Sequence, residues 1–155
     1  MIQWRPVSQD FWQAQNVSDA SNYGLELSAG YDWTKGSHKF AVSGKYDYSI
    51  AQDDTLDKQL IYVPKNRAGG AFEYSWEKWR FNYNLQYIGE VFVTTSNSQS
   101  LDAYYLSDIS LYRTLFKKIV TLGFKVNNIF NENYKSVAYR PMPGRNYLLQ
   151  INIQI

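Results

Sequence analysis

Cysteine is missing from all 155 residues, and histidine occurs once, at position 38. The first absence removes thiolate nucleophiles, disulfide frameworks and thiolate metal sites together. The second leaves no histidine cluster for a metal, and His38, beside Lys39 in a short connection, reads as a solvated loop residue with no assigned role. Charge of one sign is also lacking. Against 16 Lys and Arg stand 14 Asp and Glu, a net +2 with no run of like charges, so no footprint for phosphate contact exists and nucleic acid is excluded as a partner. No apolar run approaches the ~18 residues of a transmembrane helix. Met1-Ile2-Gln3-Trp4-Arg5-Pro6 has neither the basic start nor the apolar stretch of a signal peptide, so the expectation is a chain that is not secreted or whose beginning lies further upstream.

What the chain has is aromatic side chains, 17% of it with 14 Tyr, set in a period of two. Phe40, Val42, Gly44, Tyr46, Tyr48 and Ile50 alternate with Lys39, Ala41, Ser43, Lys45, Asp47 and Ser49, which describes a long amphipathic strand. The same alternation runs through 22–33, 72–76, 79–87, 120–127 and 146–155, and less cleanly through 104–115. No segment has the helical period. Length allows a single domain.

Connections alternate in kind. Short ones fall at 34–38, 77–78 and 116–118; long polar ones at 6–21, 51–65, 95–102 and 131–144 hold all four prolines, Pro6, Pro64, Pro141 and Pro143. Up-and-down connectivity explains this, with turns at one end of a sheet and loops at the other. A soluble sandwich alternates too. Strand length favours a membrane wall, because a tilted bilayer-crossing strand needs about 9 to 11 residues against a usual 5 or 6, and 22–33, 39–50 and 80–93 are of the longer kind. Tyr31, Trp33, Tyr74, Trp76 and Trp79 near the short turns, with Tyr46, Tyr48 and Tyr87 higher up, match interfacial girdles. The expected fold is all-β: an antiparallel up-and-down transmembrane β-barrel segment of about eight strands, with 2–5 as the stub of the first. Phe40, Val42, Tyr46, Phe81, Leu85, Leu122, Phe124, Leu149, Ile151 and Ile153 should meet lipid.

The end of the chain carries a more specific signal. Asn128-Ile129-Phe130-Asn131 closes the penultimate strand, Tyr134 follows, Pro143-Gly144-Arg145 closes the loop, and an amphipathic strand ends at Ile155. Asn16-Val17 before Tyr23-Gly24-Leu25-Glu26, and Leu60-Ile61-Tyr62-Val63-Pro64 before Asn66-Arg67-Ala68, agree with it. Over essentially its whole length the chain resembles the C-terminal part of TonB-dependent outer-membrane receptors, of the Bacteroidetes type and nearest the cobalamin-type branch. The resemblance implies a plugged barrel of about 22 strands, of which residues 1–155 are roughly the last third, without plug or earlier strands. It also implies residence in the outer membrane, partners in outer-membrane lipid, the remaining barrel and plug, and the TonB complex acting through that plug. Ile155 stands where many barrel proteins end in Phe.

No acid, base or nucleophile is positioned for catalysis, no cofactor is called for, and an enzyme is not expected. Asp53, Asp54 and Asp57 lie in one loop, but their spacing fits no calcium-loop motif and a solvated loop is the better reading. Glu26, Asp32, Lys45, Asp47, Arg67, Glu73, Arg80, Glu90 and Lys125 mix signs, as a hydrated interior would. Asn127, Asn128 and Asn131 are expected to fix the strand end and the loop after it. Ligand contacts, if this segment makes them, are expected in the loops at Asp53, Asp54, Asp57, Tyr62, Ser96, Asn97, Tyr104, Tyr139 and Arg140, facing a large ligand such as a corrinoid (cobalamin) or an iron chelate (siderophore), with a glycan left open. Two other functions fit the pattern: a free-standing small outer-membrane barrel with a structural or adhesive role, and a soluble β-sheet ligand-binding module that stacks flat ligands on rings such as Tyr83 and Tyr87.

Overall fold

The period-two segments fold as strands, and among the described residues there is no helix long and apolar enough to cross a membrane. The computed structural model describes residues 2–6, 11–16, 19–116 and 119–154. In chain order the strands are β1 (Ile2–Pro6), β2 (Trp12–Asn16), β3 (Ala20–Lys35), β4 (His38–Asp53), β5 (Lys58–Gln59), β6 (Asn66–Trp76), β7 (Trp79–Ile88), β8 (Val91–Phe92), β9 (Ser100–Leu101), β10 (Tyr104–Leu115), β11 (Val120–Asn127) and β12 (Asn146–Ile153). Among the described residues the main sheet runs β12-β11-β10-β7-β6-β4-β3, with β5 added to β4, and every pairing is antiparallel. Neighbours in the sheet are successive long strands of the chain, the up-and-down arrangement expected of these connections. The sheet is open: β3 and β12 are its edges and do not pair with each other.

Register keeps the two faces separate across the whole sheet. Trp33, Phe40, Tyr74, Phe81, Leu111, Phe124 and Leu149 are successive partners in one row that crosses all the long strands. The row beside it holds Asp32, Ala41, Glu73, Asn82, Ser110, Lys125 and Leu148. A slip of one residue anywhere would exchange the faces, so the alternation in the sequence fixes the pairing. The residues expected on the lipid side all fall on the first of these faces. The apolar face is uncovered. Leu149 is 72% exposed and Ile151 65%, and β3 and β12 are exposed along their whole lengths.

The buried apolar core lies elsewhere, at the loop end. Ala51 and Leu60 are buried with Val63 packed against them; Ile61 is buried beside them in sequence, and Val91 and Val93 are buried on the segment whose Phe92 carbonyl accepts from the Tyr62 amide. Ala51 belongs to the polar-face set of β4, so this cluster draws loop 54–65 over that face. Burying a Leu is worth roughly 1.5–3 kcal/mol, and here that gain is spent on folding a loop.

Four expectations change. The run 80–93 is not one strand: β7 stops at Ile88, and β8 pairs with β9 instead. At the break the Gly89 amide donates to the Asn66 carbonyl at 2.9 Å, and a Cβ on Gly89 would lie 2.8 Å from that oxygen, so only glycine fits. The connection 6–21 contains β2, which forms a separate hairpin with β1, and β3 already begins at Ala20, so 2–5 is not a lone stub. β4 extends to Asp53, and 51–65 and 95–102 carry β5 and β9. His38 is not a solvated turn residue. It is half-buried at the start of β4, its Nδ1 2.8 Å from the Tyr74 hydroxyl. Val17, Lys117, Lys118 and Ile155, which enter the expectations above, lie outside the described residues.

Candidate functional site at the loop end

The last polar-face row to cross β3, β4, β6, β7 and β10 together holds Glu26, Asp47, Arg67, Ile88 and Tyr104. Above it the long loops fold back. Tyr104 packs against Tyr134 from the loop after β11, ring centres 4.6 Å apart. Around this pair Asp102, Glu132, Asn133 and Lys135 line a depression of about 320 Å³. It offers two aromatic surfaces and both signs of charge, suited to a ligand that is held by stacking and scattered hydrogen bonds.

The loop candidates separate into those that build the rim and those that stay open. Asp53 is buried, and its Oδ1 accepts from the amides of Thr55 and Leu56 at 3.1 and 3.2 Å, closing the turn after β4. Asp54 accepts from the Ser21 hydroxyl at 2.7 Å, and Asp57 from the Gln52 side-chain amide. Asp54 thus reaches back to β3 and Asp57 to β4, and among the described residues no group of three or more His, Cys, Asp or Glu could hold a metal ion. Asn97 is a clamp. Its Oδ1 accepts from the Gln59 amide at 2.9 Å while its Nδ2 donates to the Gln59 carbonyl at 3.0 Å, as a paired strand would. Ser96 shares hydroxyl contacts with Thr94 and Ser98.

Tyr62 joins three segments. Its ring lies 5.7 Å from Trp12 of β2, its amide donates to the Phe92 carbonyl, and its hydroxyl accepts from the Ala138 amide at 3.4 Å. Burial pushes its phenol above the ordinary value of 10.0; the Ala138 hydrogen bond opposes this and the neighbouring Tyr139 hydroxyl adds to it. Both Tyr62 and Tyr139 have positive φ, 60° and 63°, conformations that bulky residues rarely hold. Tyr139 and Arg140 are exposed beside this contact.

Asn127, Asn128 and Asn131 behave as expected. Asn127 Nδ2 donates to Asn146 Oδ1 at 2.8 Å; Asn128 both accepts from and donates to the Glu132 backbone; Asn131 Oδ1 accepts from the Arg145 amide at 2.9 Å. They bind the two ends of the last loop to the sheet. Arg67, Asp102 and Tyr134 were not among the ligand candidates, although the sequence marks Arg67 as a polar-face charge and Tyr134 as a motif residue. Their convergence depends on strand register and loop return.

Comparison with known proteins gives this geometry a family. The model described as TonB dependent receptor-like, beta-barrel, matches residues 1–129. The vitamin B12 transporter BtuB of Photobacterium profundum is 31% identical over 151 residues, which cover 95% of this chain and 24% of that protein. Among solved structures, the copper transporter OprC superimposes with a TM-score of 0.75 at 19% identity, over 99% of this chain and 25% of that one. FpvA of P. aeruginosa, solved with a ferric pyoverdine, gives 0.70 at 16% identity, over 96% of this chain and 22% of that one. The chain therefore spans about a quarter of the length of these relatives. Its strand order, its two-faced sheet and these matches agree, and the chain belongs to the TonB-dependent receptor β-barrel family.

Proposed function

We propose that residues 1–155 form the C-terminal wall of an outer-membrane receptor barrel that takes up a large, scarce ligand, with a plug and the remaining strands completing the receptor and TonB acting through the plug. The observation that carries this is the unbroken apolar row from Trp33 to Leu149, of which Trp33, Leu111, Phe124 and Leu149 are exposed and Phe40, Tyr74 and Phe81 half-buried. A contiguous apolar surface beyond a few hundred Å² needs an apolar phase or a partner, and lipid supplies it here, while the polar face lines the lumen. Because barrels of this class have short periplasmic turns and longer external loops, the turn at 36–37 faces the periplasm and the Tyr104–Tyr134 depression faces the outside.

The identity to the B12 transporter favours a corrinoid over an iron chelate as ligand, and the cobalamin-type branch over others; the Bacteroidetes-type origin rests on the C-terminal motif alone. Transport rather than catalysis is the activity. The free-standing barrel is the weaker reading because β3 and β12 remain apart, and the soluble module because nothing in the described chain covers the apolar face. Uptake of radiolabelled cyanocobalamin, with a ferric siderophore in parallel, tests the ligand in a strain carrying the intact receptor with Tyr104→Ala, Tyr134→Ala or Arg140→Ala. Cobalamin uptake that falls by about tenfold, as the loss of one to two stacking contacts implies, supports the reading. Unchanged uptake of both ligands places recognition elsewhere in the receptor.

A further inference from the structure

At the turn end the apolar face changes character. Lys35, His38, Trp76, Trp79 and Arg113 are successive partners across β3, β4, β6, β7 and β10, so two cations bracket an aromatic stretch on the same face as Phe40 and Leu111. The rings form a wall: His38 and Trp76 lie 5.8 Å apart at 5°, and His38 and Tyr74 5.9 Å apart at 11°. Beside this wall the Arg113 guanidinium carbon stands over the Trp79 ring, 4.8 Å from its centre. With strands spaced about 4.8 Å apart, Lys35 and Arg113 leave the backbone roughly 19 Å from each other.

Neither cation has a carboxylate within ion-pair distance among the described residues. Asp32 and Glu73, the acidic strand residues near this end, point to the opposite face. A guanidinium stacked on an indole keeps its N–H edge free, and that planar fork matches two oxygens of a phosphate. Lys35 adds a second point charge, and the Trp and Tyr rings suit the depth where acyl chain gives way to headgroup. We propose that this row is a binding site for an anionic phospholipid of the leaflet at the turn end, its headgroup phosphate held by Arg113 on Trp79 and its neighbour drawn by Lys35. The proposal rests on the membrane-spanning reading given above.

The intact protein, purified in detergent, is offered equal amounts of phosphatidylglycerol and phosphatidylcholine, and the lipids it retains are counted by native mass spectrometry. The wild type should prefer phosphatidylglycerol by about fivefold for each engaged cation. Arg113→Gln with Lys35→Gln should abolish the preference, and Arg113→Lys should keep only part of it. Lys39→Gln, at similar depth on the opposite face, should leave it intact. A wild type indifferent to headgroup, or a preference that survives the double replacement, overturns the site. Flotation with vesicles of pure phosphatidylcholine and of pure phosphatidylglycerol reads the membrane assignment separately: flotation with both and no headgroup preference sinks the site alone, whereas failure to float with either sinks both.

Discussion

Gly123 shows what one residue does for the polar face. The Tyr112 ring lies across it, so that a Cβ at position 123 would come within 2.6 Å of two ring carbons. The ring is held in place at both ends, since its hydroxyl donates to Gln150 Oε1 at 3.3 Å and the Arg80 guanidinium stands 5.2 Å from its centre. Gly123→Ala should therefore destabilise by about 1–3 kcal/mol, the usual cost of overpacking. In a Tyr112→Ala background the same change should cost little, and a double-mutant cycle from urea unfolding of the intact protein reads the difference. Equal costs in both backgrounds would refute the contact. The sequence shows Gly123 on the polar face but cannot show which ring covers it. Legibility depended on range. The Asn128 role was readable because its partner is four residues away, whereas Asn97, whose clamp reaches 38 residues back to Gln59, looked like an open loop residue.

Among the elements, β12 gives the cleanest contrast between faces. Ile151 shares a row with Leu122 and Asn152 one with Thr121, at nearly the same depth on opposite sides of the strand. Ile151→Arg should cost about 2–4 kcal/mol near the bilayer midplane and Asn152→Arg much less, measured by folding of the intact protein into vesicles. Equal losses would contradict the face assignment. Strand identity and facing were legible here because period two leaves only one register that keeps the apolar residues together. The end of β7 was not. Tyr87, Gly89, Val91 and Val93 continue the alternation past the break, but β10 begins at Tyr104 opposite Ile88 and offers nothing further to pair with. Side-chain pattern reports a face; it does not report whether a neighbouring strand extends that far.

For the whole molecule, sidedness is the testable property, and the lack of cysteine means single-cysteine variants carry no background label. Asp54→Cys should react with a membrane-impermeant maleimide on intact cells and Gly36→Cys only after the outer membrane is opened. The reverse pattern would invert the topology. The all-β architecture could be read from periodicity and connection lengths, but the loop-end depression could not, because Asp102 and Tyr104 on one segment meet Glu132, Tyr134 and Lys135 on another only through the return of the last loop. Among the described residues β3 and β12 each keep one bare edge, which, under the proposed membrane reading, bears on how such a wall enters lipid. Along β3 and β12 every second residue directs its amide and carbonyl away from the sheet, and in hydrocarbon each such group left alone costs several kcal/mol, on the order of tens for either edge. Under the membrane reading proposed above, an arc with bare edges is held out of hydrocarbon until each edge exchanges water for another strand, so membrane residence would belong to the closed ring and not to any arc of it.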